Sequence, residues 1–150
     1  MEKEETINGV WRAHRFHDIC AGHRVYKHES KCAHLHGHNY RFHFSVMAEQ
    51  GLDSIGRVMD FSVIKEKLCM WLEEQWDHKF ILWSEDPSAD ALMELDPKGV
   101  ILVPFNPTAE NMAEYMVKVI GPQQLAGTGV YLSCCKIEET HKCHASFRRD

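Results

Sequence analysis

His36 and His38, separated by a single glycine, are the side chains of this chain best suited to bind a metal ion. In an extended segment residues i and i+2 point to the same side, so both imidazoles can face one ion. Gly37 lets the backbone approach a bound group closely, and imidazole nitrogens bind Zn²⁺ at about 2.0–2.1 Å. The alternative is a chance pair, because eight of the 11 histidines fall between His14 and His43.

A third ligand has to come from another segment, and we predict His23, at the end of the preceding strand. Three histidines without a fourth protein ligand leave one coordination position open, which is typical of catalytic zinc. We interpret seven of the remaining histidines as surface or core residues: His14, His17, His28, His34, His43, His141 and His144.

Cys32 and the pair Asp77-His78 could transfer protons. Cys32 precedes His36 by four residues, and a thiolate near Zn²⁺ is a competent base; the alternative is a small buried apolar residue. Asp77 can fix the tautomer of His78. The alternative explains the pair equally well: a histidine at the C-terminus of a helix interacts favourably with the helix dipole.

Glu138 and Glu139 lie at the end of a predicted strand, where neighbouring side chains point to opposite faces. Only one of the two can therefore face a pocket. A buried carboxylate at this position could accept two N–H groups from the edge of a planar ring.

Hydrophobic periodicity predicts the elements that position these groups. The alternation from Tyr40 to Val46 predicts a half-buried antiparallel strand with residues 11–23 as its partner. Further strands are predicted at 100–103, 130–139 and 143–148. Helical spacing predicts one helix from Asp60 to Trp76 and a second from Thr108, its N-cap, to Ile120, ended by Gly121-Pro122.

This order predicts a single α+β domain over residues 1–150, with an antiparallel sheet covered by helices on one face. Two Asp-Pro pairs make residues 83–98 loop-like. The 17 basic and 22 acidic residues give a net charge of −5, which argues against a nucleic-acid-binding protein. The acidic first ten residues predict no secretory signal, and no segment is long enough to span a membrane. We expect the six cysteines to be reduced in a cytoplasmic protein, and none forms a C-x-x-C pair.

Five motifs in this order resemble the pterin-processing enzymes of the 6-pyruvoyl-tetrahydropterin synthase and 6-carboxy-tetrahydropterin synthase group. They are Ala21-Gly22-His23, Cys32–Tyr40 (C-A-H-L-H-G-H-N-Y), Asp77-His78, Asn106–Asn111 (N-P-T-A-E-N) and Glu139-Thr140. The resemblance extends from Ile19 to Phe147. It departs from the family at Ile19, Trp76 and Leu82, where the family usually has Phe, Leu and Asn.

The resemblance implies the tunnelling fold, with a four-stranded antiparallel sheet and two helices per subunit. It also implies trimers that form a barrel, usually paired into hexamers, with active sites at subunit interfaces. By the same resemblance His23, His36 and His38 bind zinc, Cys32 is the general base, and Asp77 and His78 are its relay partners from a neighbouring subunit. Glu139 matches the carboxylate that anchors the pterin ring, and Thr108 contacts the pterin or only caps its helix.

Three residues separate Cys32 from His36, which resembles the 6-carboxy-tetrahydropterin synthases of the 7-deazaguanine (queuosine) pathway. The implied reaction converts 7,8-dihydroneopterin triphosphate to 6-carboxy-5,6,7,8-tetrahydropterin, acetaldehyde and triphosphate. Arg24, Lys27 and Lys31 are candidates for the triphosphate. The alternatives are a 6-pyruvoyl-forming or sepiapterin-cleaving relative and a non-catalytic zinc- or pterin-binding module.

Overall fold

The computed structural model describes residues 5–149, so the first four residues of the acidic N-terminal segment and Asp150 lie outside it. Its centre is a six-stranded sheet with the strand order β4-β3-β1-β2-β5-β6. The strands are β1 (Ala13–His23), β2 (His36–Ala48), β3 (Phe80–Trp83), β4 (Val100–Val103), β5 (Val130–Thr140) and β6 (Cys143–Arg148).

The sheet is larger than the four antiparallel strands that the resemblance implies. β1, β2, β5 and β6 form that antiparallel set, and β3 and β4 extend it beyond β1. β3 runs parallel to both β1 and β4, so the sheet is mixed rather than purely antiparallel. The antiparallel set nevertheless contains every strand that carries a predicted metal ligand.

Three helices accompany the sheet. α1 consists of Phe61–Ile64, a π-helical turn at Lys65–Cys69 and Met70–Gln75, and Asp60 caps it by accepting the Ser62 amide. α2 (Ala89–Leu95) lies in the region predicted as a loop. α3 consists of Ala109–Tyr115, a π-helical turn at Met116–Ile120 and Gly121–Gln124. No helix of residues 5–149 is long and apolar enough to cross a membrane.

α3 continues past Gly121-Pro122, where the sequence predicted its end. The amide of Gly121 bonds to the carbonyl of Met116, five residues back, so the π-turn shifts the hydrogen-bond register just before the proline. A Cβ on Gly121 would lie 2.9 Å from Cβ of Leu132, so this glycine permits close contact between helix and sheet.

The core lies between the long helices and one face of the sheet, as predicted. On β2, Tyr40, Phe42, Phe44 and Val46 are buried, which confirms the alternation of this strand. They pack with apolar residues of α1 and α3, chiefly Ile64, Leu68, Leu72, Met112 and Met116. The residues that depart from the family, Ile19, Trp76 and Leu82, are buried as well, so they affect packing.

Candidate active site

The register of β1 and β2 brings the three predicted histidines together. The two strands pair without interruption from Ala13↔Val46 to His23↔His36, so His23 lies directly opposite His36. His38 follows on the same face, because side chains two residues apart share a face. The ligand nitrogens of His23, His36 and His38 all lie within 4.8 Å of one another.

Backbone carbonyls orient two of these rings. Nδ1 of His23 lies 2.7 Å from the carbonyl oxygen of Pro107, and Nδ1 of His36 lies 2.7 Å from that of His34. A carbonyl oxygen only accepts, so each Nδ1 donates and each Nε2 keeps its lone pair. The Nε2 atoms of all three histidines are buried without a hydrogen-bond partner. Nitrogen atoms with free lone pairs, on rings that are oriented by hydrogen bonds to outer partners, suit a divalent metal ion.

Burial also keeps the rings of His23 and His38 in the form that binds metals. It lowers the pKa of His23 to about 4, against the raising effect of the Pro107 hydrogen bond, and His36 and His38 lower it further. Burial lowers the pKa of His38 too, although the charge of Glu139 opposes that shift. Near pH 7 both imidazoles are therefore neutral, as metal coordination requires.

Cys32 lies in a short 3₁₀ turn, Lys31–Ala33, and is half-buried. Its carbonyl accepts the amide of Val25 at 2.9 Å, which closes the loop between β1 and β2. Burial raises the pKa of Tyr40 well above its usual value, and the charges of Glu139 and Cys32 raise it further. The hydroxyl of Tyr40 is buried without a partner. The turn that carries Cys32 ends three residues before His36, the first residue of β2.

The two glutamates point to different faces. Oε2 of Glu138 lies 2.5 Å from Nε2 of His43, on the face opposite the core. Oε1 of Glu139 lies 3.7 Å from Nε2 of His23 and 3.9 Å from Nε2 of His38. Glu139 is thus the member of the pair that faces the three-histidine site.

Asp77 and His78 form a separate unit beyond the end of α1. Oδ2 of Asp77 lies 2.8 Å from Nδ1 of His78, and Oδ1 accepts the Cys20 amide at 3.0 Å. Burial would raise the pKa of Asp77, but these hydrogen bonds hold it below its usual value. His78 has a φ of 60°, a left-handed conformation that costs energy outside glycine.

The structure does not bring His78 to Cys32 within one chain. The side chain of His78 is 79% exposed, and within residues 5–149 it forms no hydrogen bond with Cys32. A cavity of about 890 Å³ is lined by Asp77, His78, His38 and Glu139, and Cys32 is not part of the lining formed by the described residues.

The segment before α3 supports the site in a way that sequence reasoning missed. The Asn106 side chain accepts the amide of Tyr26 at 3.0 Å and donates to its carbonyl at 2.9 Å. Nδ2 of Asn111 donates to the Asn106 carbonyl at 2.9 Å. These bonds tie the Cys32 loop to the segment whose Pro107 orients His23. The polar residues of the N-P-T-A-E-N motif were the feature of the sequence that could have indicated these contacts.

Thr108 and Arg24 have structural partners. Oγ1 of Thr108 accepts the amide of Asn111 at 3.1 Å, so Thr108 caps α3 as predicted. Both oxygens of Asp86, whose side chain is fully buried, accept the guanidinium of Arg24 at 2.5 and 2.6 Å. Arg24 is therefore engaged by a carboxylate. Of the other triphosphate candidates, Lys27 lies 5.5 Å from the ring centre of Tyr26, and Lys31 is exposed.

Fold and site together define an α+β protein of the tunnelling-fold type, with a three-histidine site that could bind a metal ion. The family model of 6-pyruvoyl tetrahydropterin synthase matches residues 12–150. The chain therefore belongs to the 6-pyruvoyl tetrahydropterin synthase family, which confirms the resemblance and the prediction of an enzyme.

Curated relatives in this family carry the name 6-carboxy-5,6,7,8-tetrahydropterin synthase. The protein of that name from Rickettsia felis is 35% identical over 124 residues, which cover 82% of this chain and 89% of the relative. Its counterpart from Rickettsia conorii is 33% identical with the same coverage.

Solved structures share the fold. An uncharacterized protein from Wolinella succinogenes has a TM-score of 0.81 at 23% identity, covering 95% of this chain and all of the other. The 6-pyruvoyl tetrahydropterin synthase of Caenorhabditis elegans has a TM-score of 0.66 at 22% identity, covering 95% of this chain and 97% of the other.

Proposed function

We propose that this protein is a zinc-dependent carbon–carbon lyase of 7-deazaguanine (queuosine-type) biosynthesis. With one molecule of water, it converts 7,8-dihydroneopterin triphosphate to 6-carboxy-5,6,7,8-tetrahydropterin, acetaldehyde and triphosphate. The observation that carries the proposal is the group of three buried, unpartnered Nε2 atoms beside the Glu139 carboxylate. The names of the Rickettsia relatives and the three-residue spacing between Cys32 and His36 favour this reaction within the family.

In this proposal His23, His36 and His38 hold the zinc ion through Nε2. When bound, zinc supplies a Lewis acid that stabilises negative charge developing on the side-chain oxygens of the substrate. The carbonyls of Pro107 and His34 keep two of the rings in the required tautomer. The site lies at the end of the β1–β2 pair, where Cys32 can reach the same ligand.

Cys32 is the general base and removes a proton from the carbon next to those oxygens. His78 sets the protonation state of the thiol, and Asp77 holds the imidazole through its 2.8 Å hydrogen bond to Nδ1. Glu139 anchors the pterin, because a carboxylate can accept two parallel N–H groups of the ring. Thr108 borders the pterin in addition to capping α3.

The proposed assembly is a homohexamer, a dimer of trimers, in which His78 acts on the Cys32 site of a neighbouring subunit. The exposure of His78 and its position outside the Cys32 loop support this arrangement. β4 and β6 end the sheet and leave backbone groups available for pairing between subunits. The free cysteines support a cytoplasmic location, where thiols stay reduced.

One observation favours a second reaction. The family model that matches residues 12–150 describes 6-pyruvoyl tetrahydropterin synthase. Such an enzyme would eliminate triphosphate from the same substrate without cleaving a carbon–carbon bond. The third possibility, a non-catalytic zinc- or pterin-binding module, does not account for the joint presence of Cys32, His78 and Glu139.

Replacing Cys32 with alanine tests the enzyme proposal. The thiol is the proposed base and not a ligand, so C32A should abolish turnover, a loss on the order of 100-fold or more, while zinc per subunit stays unchanged. Turnover is followed as acetaldehyde release, and zinc by elemental analysis. C69A is the control, because this cysteine belongs to α1 and is buried in the core, so its replacement should leave turnover intact. Loss of zinc in C32A would make Cys32 a ligand, and full turnover would remove it from the mechanism.

A further inference from the structure

Four polar side-chain atoms converge at the end of the β1–β2 pair. Three are the Nε2 atoms of His23, His36 and His38, which are buried and unpartnered. The fourth is Oε1 of Glu139, which lies 3.7 Å from Nε2 of His23 and 3.9 Å from Nε2 of His38. The carboxylate oxygen thus borders the same small space as the histidine nitrogens.

No hydrogen bond between Glu139 and these nitrogens accounts for the convergence. Nδ1 of His23 and of His36 donates to a backbone carbonyl, so their Nε2 atoms carry lone pairs and cannot donate to Glu139. The distances of 3.7 and 3.9 Å are also too long for hydrogen bonds. Acceptors that face one another repel unless a cation lies between them.

The distances suit a shared metal ion. Two ligands at about 2.0–2.1 Å from a tetrahedral zinc ion lie roughly 3.3–3.4 Å apart. Oε1 of Glu139 is within about half an ångström of that separation from two of the histidine nitrogens. A small rotation of the glutamate side chain would close the remaining difference.

An irregularity in the pairing of β5 with β6 distinguishes Glu139 from Glu138. The β5–β6 pairing shifts between Glu138↔His144 and Thr140↔Cys143, so Glu139 is the extra residue of a β-bulge. Bulges redirect side chains and are frequent beside functional sites. The Glu139 side chain is 27% exposed, so its carboxylate borders solvent as well as the histidines and has room to change position.

We propose that Glu139 is the fourth zinc ligand of the substrate-free protein and leaves the ion when the pterin binds. Three histidines and a carboxylate close a tetrahedral site, whereas catalysis requires an open position. Substrate oxygens would replace the carboxylate, which then accepts the N–H groups of the ring. The exchange step rests on the proposed function, but ligation at rest concerns the metal alone.

The test measures Zn²⁺ affinity by chelator competition, without any pterin, in the wild-type protein, E139Q and E138Q. Both variants remove one negative charge at neighbouring positions, but the Glu138 carboxylate contacts His43 on the other face. We expect E139Q to bind Zn²⁺ on the order of 10-fold more weakly or worse, and E138Q to stay within about twofold of wild type.

Co²⁺ substitution separates ligation from a general effect of charge. In the wild type and E138Q the visible absorption of bound Co²⁺ should be the same, and in E139Q its intensity and band positions should change. Equal affinities and spectra in E139Q and E138Q would overturn the inference without affecting the proposed reaction. Absence of pterin turnover in a protein whose E139Q variant shows the expected metal effects would instead refute the proposed function.

Discussion

The imidazole Nε2 atoms of this chain differ in what they contact. Among the described residues, Nε2 of His14, His17 and His43 hydrogen bonds to His43, Glu73 and Glu138 respectively. Those of His23, His36 and His38 are buried and have no such partner. An unpartnered buried nitrogen is destabilising unless a ligand satisfies it. This contrast, more than the number of histidines, distinguishes the candidate metal ligands.

Replacing single histidines with alanine tests the assignment of the metal ligands. H36A removes one of the three converging nitrogens, so Zn²⁺ affinity should fall by more than the roughly 10- to 100-fold that loss of an outer partner produces, and turnover should fall with it. H34A is the matched control, because its side chain is exposed and only its backbone carbonyl holds His36. Zinc is measured by chelator competition in both variants.

Equal losses of zinc in H34A and H36A would contradict the assignment, since they would indicate a general effect of this segment. Retention of full affinity in H36A would exclude His36 as a ligand.

The part of the site that the sequence could predict depends on a single pairing of strands, β1 with β2. The alternation of β2 puts His36, His38 and Tyr40 on one face, and an antiparallel partner ending at His23 completes the triad. These predictions need only local periodicity and one strand pairing. The bonds from Asn106 to Tyr26 join residues 80 positions apart, and no local pattern specifies such contacts.

Errors in the predicted fold have similar causes. The sequence predicted β4 with its exact bounds but not β3, and a four-residue apolar run indicates neither strand direction nor partner. Asp86-Pro87 suggested a loop, but Asp86 accepts the Ser88 amide at 2.8 Å and is held by Arg24, and α2 begins three residues later at Ala89. The π-turn that carries α3 past Gly121 has no sequence pattern that we could recognise.

Gly121 provides a test at the level of elements. A Cβ there would lie 2.9 Å from Cβ of Leu132 and 3.0 Å from the Met116 carbonyl oxygen, so G121A must displace α3 from β5. We expect a loss of about 1–3 kcal/mol in the free energy of unfolding. It is measured by urea denaturation at one protein concentration.

The control is G9A, because a Cβ at Gly9 would meet no atom within 4 Å. If G121A and G9A had the same free energy of unfolding, α3 and β5 would tolerate the added methyl group without strain.

At the scale of the whole molecule, the proposed catalytic groups are incomplete in one chain. Cys32 lies in the loop between β1 and β2, whereas His78 follows α1 and is largely exposed. Asp77 bonds to His78 and to the backbone of β1, which holds the exposed His78 side chain away from the loop that carries Cys32 in the sequence. A neighbouring subunit can complete the site if the chains assemble in a closed ring.

Mixing two inactive variants tests whether the site is shared. C32A and H78A should each be inactive, but subunits of the two variants that are unfolded and reassembled together should recover activity. With random mixing, about a quarter of the interfaces combine an intact Cys32 with an intact His78, so about a quarter of wild-type turnover is expected. Size-exclusion chromatography with light scattering verifies that the mixture reassembles. Failure to recover turnover in correctly assembled mixtures would place both residues in one subunit.

The most direct test of the whole account is product analysis. Zinc-loaded protein is incubated without oxygen with 7,8-dihydroneopterin triphosphate, and the products are identified by mass spectrometry. We expect 6-carboxy-5,6,7,8-tetrahydropterin, acetaldehyde and triphosphate in equal amounts. Formation of 6-pyruvoyl-tetrahydropterin would contradict the proposed carbon–carbon cleavage and assign the other reaction of the family. No conversion by the zinc-bound protein would contradict the enzyme proposal itself.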